Sequence, residues 1–221
     1  MTILLTEILG SPHIGIFGFS NEKIAILPKG IAPSKIEEFT RCLGVKVLES
    51  YLAGSRLLGI FIAANSNGMV LPYISYEHEV KAIKSATDII VDVIHDKNTA
   101  LGNMILTNDY GAIISPIIPH KTLRRVSDIL GVEAVRGRIS GLPYVGAMAV
   151  ATNKGVFAHQ SIQEEEEKLI REVLRVEVTT GTVNNGTPLI KSGLIANNKG
   201  AIAGSLTVGN ELMGITRAIK V

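Results

Sequence analysis

The chain has 221 residues, 46% hydrophobic, 19% charged and 5% aromatic, with no Trp, one Cys and a formal net charge of +2. Such a length supports one large or two small domains with a full core, and high apolar content with little net charge excludes an intrinsically disordered chain. Cys42 alone permits no intrachain disulfide and fits a reducing compartment, while 22 basic against 20 acidic residues predict no general pull on nucleic acid, so any RNA contact must be local.

The first predicted element is a strand over Ile3–Thr6. The opening MTILLTEILG has no basic n-region and meets Glu7 early, so it does not read as a signal peptide. The mean hydropathy of +0.31 raises the question of a membrane span. The longest uncharged stretch, Leu57 to Tyr76, is broken by Asn65, Ser66, Asn67, Gly68 and Pro72, and reads as two buried strands around a turn. The expectation is a cytoplasmic protein.

Next come five similar segments. GIFGFSNEKIAILP, GIFIAANSNGMVLP, GNMILTNDYGAIISP, GAMAVATNKGVFAH and GLIANNKGAIAG begin at Gly15, Gly59, Gly102, Gly146 and Gly193, with spacings of 44, 43, 44 and 47. An Asn lies near the middle of each, at 21, 65, 108, 153 and 197 or 198. Two apolar runs around Asn, usually with Gly, read as a hairpin. Helical patterns follow. APSKIEEFTRCLG pairs Ser34 with Glu37, and SIQEEEEKLIREVLR pairs Ser161 with Glu164, each as an expected N-cap and capping box. Leu123, Val126 and Leu130 share one helical face. YEHEVKAIKSATD and TVGNELMGITRAI fill the second and fifth helical slots. Short strands are predicted after four helices, at 45–49, 89–93, 132–135 and 176–180.

The unit is therefore ββαβ, repeated five times over residues 1–221 as a single α/β domain. No strand follows the fifth helix, and LGSPHIG at 9–15 aligns with AGSRLLG at 53–59. The first strand is thus expected to complete the fifth unit and close a ring, which removes sheet edges. A period near 44 also suits a four-stranded propeller blade, but such a blade has no place for the helix-forming SIQEEEEKLIREVLR.

Little in the chain supports catalysis. Cys42, late in the first helix, is either a small packing residue or a thiol nucleophile lacking an identifiable base. The histidines at 13, 78, 95, 120 and 159 have no metal-ligand spacing, so neither metal nor cofactor is expected. Glu164–Glu167 read as the solvated first turn of a helix. Asn185-Gly186-Thr187 reads as a turn.

The ordered strings AGSR (53–56), TALGN with NDYGA (99–103, 108–112), GLPYVGAMAVATNKG (141–155) and GTVNNG (181–186) resemble the translation initiation factor 6 family along the whole chain. The resemblance implies a pentein fold, a five-fold pseudosymmetric α/β propeller. It further implies a non-enzymatic, monomeric binding protein with no membrane or small-molecule partner. Such a factor docks on the joining face of the large ribosomal subunit near the sarcin–ricin loop and sterically blocks the small subunit. The partner surface would be ribosomal protein with limited rRNA contact. Carried onto this chain, the implied ribosome-binding residues are Gly15, Ile60, Asn103 and Leu194. Asn103 is either an exposed amide for the partner or a turn cap. At Ile60 eukaryotic relatives carry Arg, so an apolar contact must replace an ionic one. Ending at Val221, the chain lacks the polar tail of those relatives and resembles the archaeal form. Because other penteins modify guanidino groups with a Cys, a His and carboxylates, the alternative is an enzyme using Cys42 with His120 or His159.

Overall fold

The computed structural model describes residues 3–220. Strand β1 (Ile3–Thr6) is followed by five units, each a one-turn helix, a short inner strand, a middle strand, a longer helix and, in the first four, an outer strand. The first unit comprises α1 (Ile14–Phe17), β2 (Phe19–Ser20), β3 (Ile24–Pro28), α2 (Pro33–Leu43) and β4 (Lys46–Ser50). The second comprises α3 (Leu58–Phe61), β5 (Ala63–Ala64), β6 (Gly68–Pro72), α4 (Glu77–Ala86) and β7 (Ile90–Ile94). The third holds α5 (Leu101–Met104), β8 (Ile105–Thr107), β9 (Gly111–Ile114), α6 (His120–Leu130) and β10 (Glu133–Arg136). The fourth holds α7 (Val145–Met148), β11 (Ala149–Ala151), β12 (Val156–His159), α8 (Glu164–Leu174) and β13 (Val178–Gly181). The fifth holds α9 (Ile190–Gly193), β14 (Leu194–Ala196), β15 (Ala201–Gly204) and α10 (Gly209–Ile219).

Each unit contributes a three-stranded sheet: the inner strand pairs antiparallel with the middle one, and the outer strand pairs parallel on its other side. In the fifth sheet the outer place is taken by β1, in register from Ile3 opposite Ala201 to Thr6 opposite Gly204. The expected post-helix strands appear as β4, β7, β10 and β13, one or two residues late. The arrangement is a mixed α/β fold of five repeated sheets, consistent with pseudo-fivefold symmetry.

The sheets are covered by the longer helices, each packed between two neighbouring units: α6 against β6, β7 and β10, α8 against β9, β10 and β13, α2 against β4 and β15. Middle strands are therefore covered on both faces, and β3, β6, β9 and β15 are buried throughout. This double coverage produces continuous apolar runs in place of alternation, and accounts for the high mean hydropathy. Five apolar cores result among the described residues. One joins Leu106 and Ile113 of the third unit to Val145, Ile170 and Leu174 of the fourth, and another joins Ile14, Leu27 and Phe39 of the first to Ile195 and Ile202 of the fifth.

Three details depart from expectation. The runs led by Gly15, Gly59, Gly102 and Gly146 begin as single helical turns, leaving only two or three residues for each inner strand. The helix starts also lie elsewhere. The N-cap of α2 is Ala32, with Pro33 in the first position, and that of α8 is Gln163, so neither Ser34 nor Ser161 is a cap. The operative carboxylate is Glu166, which accepts from Gln163 N at 3.1 Å and also from Ser140 N and Gly141 N of the preceding loop. Glu79 clamps Ala53, Gly54 and Tyr76 in the same manner. A one-turn capping box is thus extended into a loop anchor.

Glu211 is the fullest case. Its carboxylate accepts from Thr182 Oγ1 at 2.6 Å and from the backbone N–H of Gly186, Val208 and Asn185 at 2.8, 2.9 and 3.0 Å. Burial alone would raise its pKa, but these four donors outweigh burial and hold it below the ordinary glutamate value of 4.5. A lowered folded-state pKa contributes stability above the unfolded value, lost as pH falls through the folded one. Glu211→Gln is expected to cost about 1–3 kcal/mol at neutral pH and to flatten the loss of stability on acidification below 4.5, both read by urea unfolding across that range.

The third departure concerns the repeated asparagines. Asn21, Asn65, Asn108 and Asn197 are buried. Each Oδ1 accepts two N–H groups of its own turn, as with Asn67 and Gly68 on Asn65, both at 3.0 Å. Each Nδ2 donates to a neighbouring unit: Asn21 to Asn65 O, Asn65 to Asn108 O, Asn108 to Thr152 O and Asn197 to Asn21 O. The fourth unit has Thr152 at this position, its hydroxyl serving Lys154 N and Gly155 N. Asn153 belongs to a second tier, accepting from Asp109 N while its own N–H donates to Asn198 Oδ1.

Candidate functional site: a pocket among the one-turn helices

The five one-turn helices touch in the order α1, α3, α5, α7 and α9, and α9 also touches α1. Glycine makes this approach possible. A Cβ on Gly59 would lie 1.9 Å from Gly15 O, one on Gly102 2.2 Å from Gly59 O, and one on Gly146 2.3 Å from Gly102 O. At the fifth position the structural equivalent is Lys191 rather than Gly193. Counted back from Asn197 it occupies the place that Gly15 holds relative to Asn21, so the spacing is 45. The residues following this position are Ile16, Ile60, Asn103, Ala147 and Ser192.

Those five residues, with Gly15, Leu189 and Lys191, line one pocket of about 120 Å³. Its walls are mostly apolar. Of the residues expected at the site, Gly15, Ile60 and Asn103 are brought together here. Leu194 is apart from them: it is buried at the start of β14 and lines a second cavity, of about 70 Å³, among the inner strands. Asn103 is half-buried, and its side-chain amide makes no hydrogen bond with any described residue, so it caps no turn.

Loops leading into the one-turn helices carry the strings that were distinctive in the sequence. They are tight turns closed by single bridges, Ile8 with Ser11, Leu52 with Ser55, Ile139 with Leu142 and Val183 with Thr187. Positive φ at Ala53 and Gly54, and at Asn184, Asn185 and Gly186, exposes the N–H groups that Glu79 and Glu211 clamp. AGSR and GTVNNG are thus the residues that hold these loops. Asn184 further ties its loop to the first unit through Nδ2 on Pro12 O at 2.8 Å. Leu142, Tyr144 and Leu189 are exposed on or beside these loops.

Lys191 was not anticipated. Its side chain reaches from α9 past α7 to α5, where Nζ donates to Gly102 O at 2.7 Å. It lines both cavities. It retains some accessible surface because it faces these openings, while the ammonium lies deep in the protein, and burial lowers its pKa to about 7. The 47-residue spacing in the sequence was the available signal, since aligning the asparagines instead of the glycines exposes the lysine.

Cys42 Sγ contacts Ala201 O at 3.2 Å, and burial pushes the thiol above its usual value, opposite to the activation that a nucleophile needs. Its carbonyl would lie 2.0 Å from a Cβ on Gly200, so this part of α2 sits directly against the fifth hairpin. His159 Nδ1 is bonded to Ser140 Oγ at 2.8 Å. Among the described residues no three His, Cys, Asp or Glu side chains gather as metal ligands would, and no helix is long and apolar enough to cross a membrane.

Fold and pocket together define a repeat protein of five α/β units, bound to one another by side-chain amides and backbone contacts, with a small apolar pocket where the units converge. The chain belongs to the eIF-6 family, whose profile matches residues 3–218. It is 36% identical over 223 residues to translation initiation factor 6 of Staphylothermus marinus, covering 100% of this chain and 98% of that one. It is 37% identical to the factor of Saccharolobus islandicus, over 99% of each chain, and 38% identical to that of Methanocaldococcus jannaschii, again over 99% of each. Family and relatives support a role in translation initiation.

Proposed function

We propose that the protein is an anti-association factor: it binds the joining face of the large ribosomal subunit near the sarcin–ricin loop and sterically prevents the small subunit from joining. The observation that carries this reading is the convergence of Gly15, Ile60 and Asn103 on one pocket in a chain of the eIF-6 family. Occlusion requires no chemistry, only a stiff body and an interface of roughly 1,200–2,000 Å² with a few anchoring residues. In this reading the five units form a single closed pentein propeller, monomeric and cytoplasmic. The cyclic contacts of the one-turn helices and the pairing of β1 with β15 support that closure. Asn103 offers its unpaired amide to a ribosomal protein, Ile60 offers an apolar contact, and Gly15 and Leu194 support the surface from beneath. With a net charge of +2, contact with rRNA is limited.

The test is sedimentation. The protein is expected to travel with purified large subunits at modest salt and to reduce their joining to small subunits; remaining at the top of the gradient would overturn the reading. Asn103→Ser is expected to weaken binding about tenfold with unchanged thermal stability, and wild-type affinity in that variant would remove Asn103 from the interface.

A further inference from the structure

We propose that Lys191 is the anchor for a single carboxylate side chain of a protein partner, inserted through the mouth formed by Ile16, Ile60, Ala147 and Leu189. The proposal rests on the docking role of this face and adds the chemistry of what docks there.

The reasons lie in what surrounds the ammonium. Among the described residues its three N–H donors meet one acceptor, Gly102 O. Neither cavity that Lys191 lines contains an Asp, a Glu or any other titratable residue. Of the elements most closely packed on α9, namely α1, α7, β11, β12 and β14, and α5, which Lys191 Nζ reaches, β12 alone carries a titratable group among the described residues, His159, which is held by Ser140; His13 just precedes α1. A buried cation without a counter-charge is costly, and a carboxylate arriving from outside would offset that cost. The four other units place glycine here, so the fold itself does not require a charge at this position.

Size and rim select the partner. The pocket of about 120 Å³ has room for a carboxylate on one or two methylenes, near the volume of roughly four waters. Phosphate backbones are held by several exposed cations, whereas this is one cation beneath an apolar rim. The chemistry therefore fits an Asp or Glu of a protein rather than an RNA phosphate. Pairing requires Lys191 charged, and the free amine titrates near 7, so binding takes up a proton as pH rises.

Two measurements test this. In the first, affinity for large subunits is followed between about pH 6 and about pH 8.5 for the wild type and Lys191→Met. Wild-type affinity is expected to fall by up to about tenfold per pH unit above the lysine midpoint. The variant is expected to bind at least about tenfold more weakly at low pH and to lack that part of the slope. Equal affinity and an equal slope in the two proteins would overturn the proposal while leaving the docking role intact. In the second, acetate and inorganic phosphate are titrated separately into the isolated wild-type protein, with the amide resonances of Gly102 and Asn103 and the Lys191 Cε resonance as readouts. Acetate is expected to move these signals and raise the lysine midpoint. No response to acetate, or a response to phosphate alone, would overturn the proposal. This second arm is independent of the ribosome, so it decides the Lys191 chemistry even if large subunits do not bind.

Discussion

Gly59→Ala is expected to destabilise the protein by about 3 kcal/mol or more, beyond the usual range for an added methyl. The new Cβ would lie 1.9 Å from Gly15 O and 2.7 Å from Gly18 O, both backbone atoms that no rotamer change can withdraw. Relief requires α1 and α3 to separate, and that movement is passed to α5, which touches α3, and to α9, which touches α1. Urea unfolding with Gly209→Ala as the control checks this directly. Gly209 opens α10 with nothing within 4 Å of an added Cβ, so the control is expected to retain wild-type stability. Equal midpoints for the two variants would mean that the one-turn helices are not packed so closely.

Asn65→Ala is expected to cost about 3–5 kcal/mol through a different mechanism, the stranding of buried polar groups. Its Nδ2 serves Asn108 O at 3.1 Å and Leu130 O at 2.9 Å, and its Oδ1 serves Asn67 N and Gly68 N. Asn65 is 2% exposed, so water is poorly placed to replace these bonds. The loss spans two units, because Leu130 ends α6 of the next unit. Asn65→Asp is the informative companion in thermal unfolding. It keeps the acceptor and removes the donors, so a cost close to that of alanine would assign most of the effect to the inter-unit carbonyls.

Much of this architecture was legible in the residues. Repetition of a hairpin string with a central Asn, each followed by an apolar helical face and, in the first four units, by a β-branched strand, specifies the unit and its count. The spare strand at Ile3–Thr6, which precedes the first unit, anticipates the pairing of β1 with β15. Helix starts were less legible. Ser34 and Ser161 satisfy the local pattern of a cap, but Pro33 fixes the first turn of α2, and Glu166 is drawn to loop N–H groups that are distant in sequence. The turn-forming character of the Asn residues describes only their oxygen; the destination of each Nδ2 lies 43 or more residues away.

The site divides along the same line. Asn103 and Ile60 are visible in the sequence because each follows a glycine in a readable repeat, whereas Leu194 follows Gly193, a glycine that the fold does not use in that way. Local chemistry, namely turn residues, apolar periodicity and the order of the motifs, is written in the chain, since each depends on neighbours within a few residues. Three things were decided only when the units met in space. They are the burial of the asparagines, the carbonyl contacts that demand glycine at positions 59, 102 and 146, and the burial of the Lys191 ammonium against Gly102 O of another unit. Each depends on distances between backbones of different units, and those distances are set by packing among all five.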